Sequence, residues 1–339
     1  MSDSNNNESE EELFEHYKFK VDKGQQINRI DKFLFDKLPN TSRNKIQIAA
    51  RNGNIRVNNN IVKQNYRVKP DDNVAMVLPY PIKEFKLIPE NIPIDIVYED
   101  DCLIVVNKPA NMVVHPGYGN YKGTLVNALS YHFDSLPEMS LNYYGRPGLV
   151  HRIDKHTTGL LVIAKTEEAL TDLAKQFYER TIEREYLALV WGNLENDGVV
   201  EGNIGRSTKN RKLFTVYPNA EHGKYAKTHY FVQKKFGFAT LITCKLETGR
   251  THQIRVHLKH LGHTLLNDLE YGGNKILKGP ISGNFKKFME NIMKKIPGQA
   301  LHAQKLGFIH PETKMPFVFE KNPPDGFLEI IDKLSRFNA

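Results

Sequence analysis

Four short segments place charged and hydroxylated residues beside apolar runs, the setting in which side chains do chemistry. They are Val106-Asn107-Lys108-Pro109, His151 to Gly159, Arg184 to Ala188, and Thr248 to His257. In the second, Asp154 stands between Arg152 and Lys155, in a turn leading into the apolar stretch Leu160 to Ala164. A lone Asp there has a plain structural reading, as a turn cap or a surface ion pair. It also has a chemical one, because a carboxylate beside a guanidinium stays ionised and can serve as nucleophile or base. The fourth segment predicts a helix capped by Thr251 and ended by Gly262, with His252, Arg255 and Lys259 in one polar stripe. Ile254, Leu258 and Leu261 then face the core. The first turn of a helix favours anions, so an arginine there implies a specific acidic partner, a carboxylate or a phosphate, for Arg255.

Other chemistries find little support. Histidines at 252, 257, 260 and 263 invite a metal, but there is no His-Glu-x-x-His pattern and no cysteine set. Gly117-x-Gly119 lacks the third glycine and the following helix of a dinucleotide fingerprint, and no Walker loop occurs. No metal and no cofactor are expected. Cys102 and Cys244 are far apart and without a partner pattern, which suits a reducing compartment.

The elements that must position these residues follow from the wider pattern. The chain has 339 residues, 40% apolar, with a formal charge of +8, enough for a large domain and a small one around an anionic partner. Nucleic acid ranks first and an acidic membrane surface second. The acidic, polar N-terminus is no secretory signal, and no apolar run approaches membrane length, so a soluble cytoplasmic protein is expected. Residues 1–17 predict a disordered acidic tail. Residues 18–80 predict two helices and a hairpin. Ile27, Ile30, Leu34 and Leu38 mark the first helix and Pro39-Asn40 close it, while Ser42 caps the second and Gly53 ends it. Strands at Ile55 to Val57 and Ile61-Val62 surround an Asn turn. From Val21 to Pro79 eleven Lys or Arg face five Asp, so most of the excess charge sits in this small unit.

Prolines at 79, 81, 89 and 93 mark a stiff linker over 81–92. Residues 93–335 then predict a strand-dominated α+β domain with a mixed or antiparallel sheet, lacking the regular spacing of a doubly wound fold. Strands are expected at Ile94 to Tyr98, Leu103 to Val106, Leu160 to Ala164 and Tyr186 to Val190, with two or three more in Thr228 to Leu246. Thr166 caps a helix whose Leu170, Leu173, Ala174 and Phe177 share a face, and Lys275 to Lys295 reads as an insertion with a basic amphipathic helix.

Together these segments resemble the RluA family of pseudouridine synthases, and its RluD-like branch in particular. Asn107-Lys108-Pro109 with Val114-His115-Pro116-Gly117 is similar to the family's first motif, and Arg146-Pro147-Gly148 leading to His151-Arg152-Ile153-Asp154 and Thr157-Thr158-Gly159 to its second. Arg184-Glu185-Tyr186 looks like the segment carrying an active-site tyrosine. Thr248 to His257, Leu265 to Asp268 and Tyr271-Gly272 resemble the third motif, and Leu301-His302-Ala303 before His310-Pro311 is a further family-like stretch. Residues 18–80 resemble the RNA-binding domain of ribosomal small-subunit protein S-four, most recognisably at Ser42, Arg43, Lys45, Gly53 and Val57. Ile153, His156 and Asn267 depart from the usual Leu, acidic residue and Gly.

The resemblance implies an enzyme that isomerises selected uridines in large-subunit ribosomal RNA, without cofactor and as a monomer. Asp154 would attack C1′ of the target or remove a proton from C2′. Arg255 would pair with Asp154, and Tyr186 would lie against the base and position it or assist the last proton removal. Arg152 would fill the space the flipped base leaves, while Arg250, Lys108, Arg43 and Lys45 would contact RNA. Alternatives are a transfer-RNA synthase of the same class, a non-catalytic ribosome-assembly factor, and a nucleoside hydrolase, from which paired acids would be expected.

Overall fold

The computed structural model describes residues 14–337, apart from 25, 39–40, 42, 79–86, 118, 134–135, 138–146, 211 and 218–221. Residues 1–13, the closing Pro39-Asn40, the Ser42 cap, Pro79, Pro81 and Arg146 therefore lie outside the described residues. Two compact units meet in sequence between Lys86 and Leu87.

The first unit holds β1 (Phe14–Lys20), α1 (Ile30–Lys37), α2 (Arg43–Arg51), β2 (Ile55–Val57), β3 (Asn60–Ile61) and β4 (Asn73–Leu78). Its antiparallel sheet runs β1-β4-β2-β3. Ile30, Phe33 and Leu34 of α1 and Ile46 and Ala50 of α2 bury against Ile55, Val57, Val74 and Met76. Asn58 and Asn59 both have positive φ, as a tight hairpin turn requires. The stretch read as acidic tail includes the start of β1. Its aromatic residues are masked in the sequence by charged neighbours, yet Tyr17 and Phe19 pack onto this core, and Phe19 meets Phe33 edge-on.

Asp31 ties the two helices together from a fully buried position. Arg29 donates to both its oxygens at 3.1 Å, Arg43 to Oδ2 at 3.2 Å and Gln47 to Oδ2 at 2.7 Å. Burial alone would raise this carboxyl; the donors from Gln47, Arg29 and Arg43 outweigh it and hold the pKa at about 2. A pKa lowered on folding means that the stabilisation is complete above the ordinary value of 3.8 and disappears as pH falls through about 2. Asp31→Asn should therefore destabilise this unit by roughly 1–3 kcal/mol at neutral pH. The difference from wild type should close near pH 2. Far-UV circular dichroism of the full chain would follow the loss, while fluorescence of the lone Trp191, buried in the second unit, should not change.

The second unit carries β5 (Ile96–Glu99), β6 (Leu103–Lys108), α3 (Leu125–His132), β7 (Thr158–Ala164), α4 (Glu167–Glu179), β8 (Glu183–Trp191), β9 (Gly198–Arg206), β10 (Phe214–Tyr217), β11 (Lys224–Lys235), β12 (Ala239–Leu246), α5 (Gln253–His260), α6 (Gly283–Met293), β13 (Leu301–Ile309), β14 (Pro316–Glu320) and α7 (Asp325–Phe337). The described strands form one mixed sheet ordered β10-β9-β11-β12-β8-β13-β7-β6-β5, with β14 beside β13. Ile104, Val106, Leu161 and Ile163 face α3 and α5, whereas Leu103, Val105, Leu160 and Val162 face α4. Leu189 and Trp191 face α6 and α7. Cover on both faces explains why these strands read as continuous apolar runs.

Several expectations change. Residues 87–92, read as linker, are fastened to the second unit: Leu87 and Ile92 pack on its core, and Asn127 Nδ2 donates to the Ile88 carbonyl at 2.8 Å. The helix of the Lys-rich segment is amphipathic as expected, with Phe285, Met289 and Ile292 buried in the core and Lys286 and Lys287 exposed. Leu261 is 37% exposed and does not join Ile254 and Leu258 inside. No helix among the described residues is long and apolar enough to cross a membrane.

The joint that matters most for the site is the parallel pairing of β7 with β13, His302 to Thr158 and Ala303 to Gly159. Gly159 has φ +113, and a Cβ there would collide with the Ala303 backbone. Only glycine fits both demands. Thr158 Oγ1 meets His302 Nδ1 at 2.8 Å, and His302 Nε2 lies 2.9 Å from the Lys321 carbonyl, so Nε2 donates and Nδ1 accepts from the threonine.

Candidate active site

The loop from Leu149 to Thr157 enters β7, and each end of it is tied down. His151 Nε2 accepts the backbone N–H of Val162 at 3.0 Å, so an imidazole does what a neighbouring strand's carbonyl would do. The ring also stacks on Phe177 of α4. Burial, helped by the nearby Arg184 charge, holds His151 down at about 3, so it stays the neutral acceptor this anchor needs. At the other end, Thr157 N–H donates to the Asp154 carbonyl, and Gln299 donates to Thr157 Oγ1.

Lys108 is a third tie and corrects an expectation. Read as an RNA contact, it is 1% exposed, and its ammonium donates to the carbonyls of Pro109, Met112 and Lys155. Burial pushes its pKa down to about 7, with Asp154 pulling the other way. Its three donors are occupied inside the protein, so Lys108 shapes the Asp154 loop from beneath and reaches no phosphate.

Opposite the loop, α5 begins differently from the sequence reading. His252, with φ 57, is the N-cap, and no side chain caps the helix. Thr251 does not do so. Gln253, which is buried, anchors the helix start instead: its Oε1 accepts from Arg250 N–H and Thr248 Oγ1, and its Nε2 donates to the Lys227 carbonyl and Thr228 Oγ1. This locks the first turn, and with it Arg255.

Arg255, 3% exposed, gathers three carboxylates. Nη1 donates to Asp154 Oδ2 at 3.0 Å; Nε and Nη2 grip Asp268 at 2.7 and 2.8 Å; Nη2 also reaches Glu270 at 2.6 Å. Tyr271 stacks 4.9 Å from the guanidinium. Burial works against the charge, but Asp268, Asp154 and Glu270 outweigh it and hold its pKa above the ordinary value. Asp268 is itself fixed by the N–H groups of Glu270 and Tyr271. The acidic partner expected for Arg255 is thus three partners. Asp268 lay within a quoted motif without a role, and Glu270 was missed. Neither stands in a periodic element that would have marked it.

Asp154 keeps 17% of its side chain exposed at the floor of a cleft of about 540 Å³. His252 Nε2 lies 3.9 Å from Oδ1, on the side away from Arg255. Tyr271 accepts the Phe214 N–H, so its own hydroxyl proton can go to His252 Nδ1, 2.9 Å away, leaving the imidazole N–H on Nε2, towards Asp154. Tyr186 lines the inner wall, and its hydroxyl makes no hydrogen bond to a described residue. Burial raises its pKa, with the Arg184 charge opposing. The rim carries exposed Arg152 and Arg180 and half-buried Arg250, whose Nε donates to the Tyr225 carbonyl. Tyr178, 87% exposed, adds an aromatic face that sequence reasoning overlooked.

In the first unit, Lys45 is exposed, whereas Arg43 is partly committed to Asp31. One group among the described residues, Asp100, Cys102 and His310, has ligand atoms close enough for a metal. His310 Nδ1 already accepts the N–H groups of Glu312 and Thr313, and its Nε2 lies 2.7 Å from Asp100. The group is a hydrogen-bonded knot away from the cleft.

Comparison with known proteins gives a consistent picture. The RNA pseudouridylate synthase profile matches residues 102–260 and the S4 domain profile residues 28–74. An "Uncharacterized RNA pseudouridine synthase" of Chlorobaculum parvum is 44% identical over 320 residues, spanning 93% of this chain and 96% of its own. The "Ribosomal large subunit pseudouridine synthase D" of Nitrosomonas europaea is 40% identical over 306 residues, spanning 90% and 84%. Among solved structures, human RNA pseudouridylate synthase domain containing 1 shares the fold, with a TM-score of 0.52 at 24% identity over 69% of this chain and 85% of its own.

Proposed function

Because the chain belongs to the RluA family of RNA pseudouridine synthases, which are isomerases, we propose that it acts on uridines of large-subunit ribosomal RNA, with Asp154 starting the reaction. The observation carrying the chemical part is the exposed edge of one carboxylate, held by a buried arginine, at the floor of a cleft with a cationic rim. Support for the ribosomal substrate comes from relatives at 38–40% identity called large-subunit synthases. The basic S4 domain, an RNA-binding module, supports it too.

The target uridine leaves its stack, at a cost of a few kcal/mol, and enters the cleft. Arg152 takes up space vacated in the helix, and Arg180, Arg250 and Tyr178 hold the flanking backbone and bases. Asp154 attacks C1′ or takes the C2′ proton; either opens the N1–C1′ bond and releases uracil as an anion. The base turns, C5 joins C1′, and the C5 proton departs. Burial favours the neutral phenol of Tyr186, which supports a positioning role against the base. Asp268 is wholly buried and gripped through both oxygens by Arg255, so it is not available as the second acid of a hydrolase.

The test is carbodiimide primer-extension mapping of ribosomal RNA from cells with and without the gene. Loss of stops at a few large-subunit positions is the expected result. An unchanged ribosomal map with altered transfer RNA would replace the substrate, and unchanged maps in both would overturn the reading.

A further inference from the structure

Arg184 is a buried cation without a counter-charge. It is 9% exposed, yet it donates no hydrogen bond and forms no ion pair with any described residue. Its Nε is sealed from solvent with nothing to bond. Among the described residues, the face of Phe177 lies 5.4 Å from the guanidinium carbon. The contrast with Arg255 is sharp: that guanidinium, similarly buried, is met by three carboxylates. A buried charge with no partner is destabilising, so a fold that carries one gains something when an anion arrives.

The geometry narrows which anion. Arg184 and Tyr186 lie two residues apart on β8, both inward-facing, and both line the cleft. Gly249 lies over the guanidinium, where an added Cβ would stand 2.9 Å from Nη1. Backbone phosphates are served at the rim by Arg152, Arg180 and Arg250. The inner wall beside Tyr186 is the place of the base.

We propose that Arg184 receives the negative charge of the uracil released when the N1–C1′ bond breaks. This rests on the pseudouridine synthase reading. The bonding pair passes to the ring and spreads over N1 and the two carbonyl oxygens. The planar N–H donors of the guanidinium meet a carbonyl oxygen in the plane of the base. No proton passes to or from Arg184: C1′ is either bonded to Asp154 after attack or becomes part of a glycal whose C2′ proton has gone to the Asp154 carboxylate. A donor facing charge that exists only after bond cleavage lowers the barrier and leaves ground-state binding alone.

Arg184→Met, which keeps the length and removes the charge, is the first test, with Arg184→Lys beside it. Full-length protein would be assayed on a ribosomal RNA transcript containing a mapped site. The Met variant should lose about 10²–10³-fold in kcat, with KM and RNA affinity within about twofold of wild type. Its melting temperature should hold or rise, since an unpaired charge is gone. The Lys variant should recover part of kcat. Wild-type kcat in the Met variant would overturn the proposal, as would a loss confined to RNA affinity, the mark of a phosphate contact. A fall in melting temperature in both variants that accounts for the lost turnover would overturn it in favour of a structural role. Wild-type protein without turnover on any RNA would instead overturn the proposed function, so the two failures are distinguishable.

Discussion

Asp154→Asn should abolish turnover, by roughly 10⁴-fold or more, while leaving fold and RNA affinity nearly intact. The substitution is almost isosteric. The Asn carbonyl can still accept from Arg255 Nη1, as Oδ2 does at 3.0 Å. What disappears is the negative charge that attacks C1′ or takes the C2′ proton. Release of tritium from RNA labelled at uridine C5 would measure turnover, because C5 exchanges its hydrogen for C1′. Fluorescence anisotropy would measure affinity. Turnover within tenfold of wild type would remove Asp154 from the chemistry.

Arg255→Met should show the opposite pattern, with stability and turnover falling together. The guanidinium neutralises Asp268, which is wholly buried, and also serves Asp154 and Glu270. Without it the buried carboxylate has lost its counter-charge, at a cost of about 3–5 kcal/mol. Trp191 fluorescence in urea would follow this unit. Adding Asp268→Asn to the Met variant should return about 1–3 kcal/mol, because the two side chains are directly coupled, without returning turnover. Arg255→Lys should fall between, since one ammonium cannot reproduce the fork that grips Asp268 and still reach Asp154 and Glu270. A Met variant within 1 kcal/mol of wild type would mean that the three carboxylates do not depend on this charge.

That Arg255 has an acidic partner was legible because a cation in a first helical turn opposes the helix dipole and needs a reason, whereas Asp154 as that partner came from the family resemblance. The strands around them were legible from apolar runs, and α4 from its Thr166 cap and apolar stripe. The unread parts share a different cause. Asp268 and Glu270 sit in turns, where no periodicity marks a side chain as inward-facing. Lys108 looked like a surface base at a strand end; its burial depends on three carbonyls from two separate segments converging on one point. Thr251 does not cap the helix, and its first turn is held instead through Gln253, whose amide reaches back to Lys227 and Thr228. In each case the deciding partner is distant in sequence or belongs to the backbone.

The parallel seam between β7 and β13 sets a timetable for synthesis. Thr158 and His302 are 144 residues apart, and at about 5–20 residues per second that gap lasts on the order of ten seconds. Through that interval the strand next to Asp154 lacks a neighbour, and Gln299, which steadies Thr157, has not been made. The S4 domain, encoded first, is complete long before then. A half-made chain therefore carries the whole S4 domain before the strand beside Asp154 has its parallel partner.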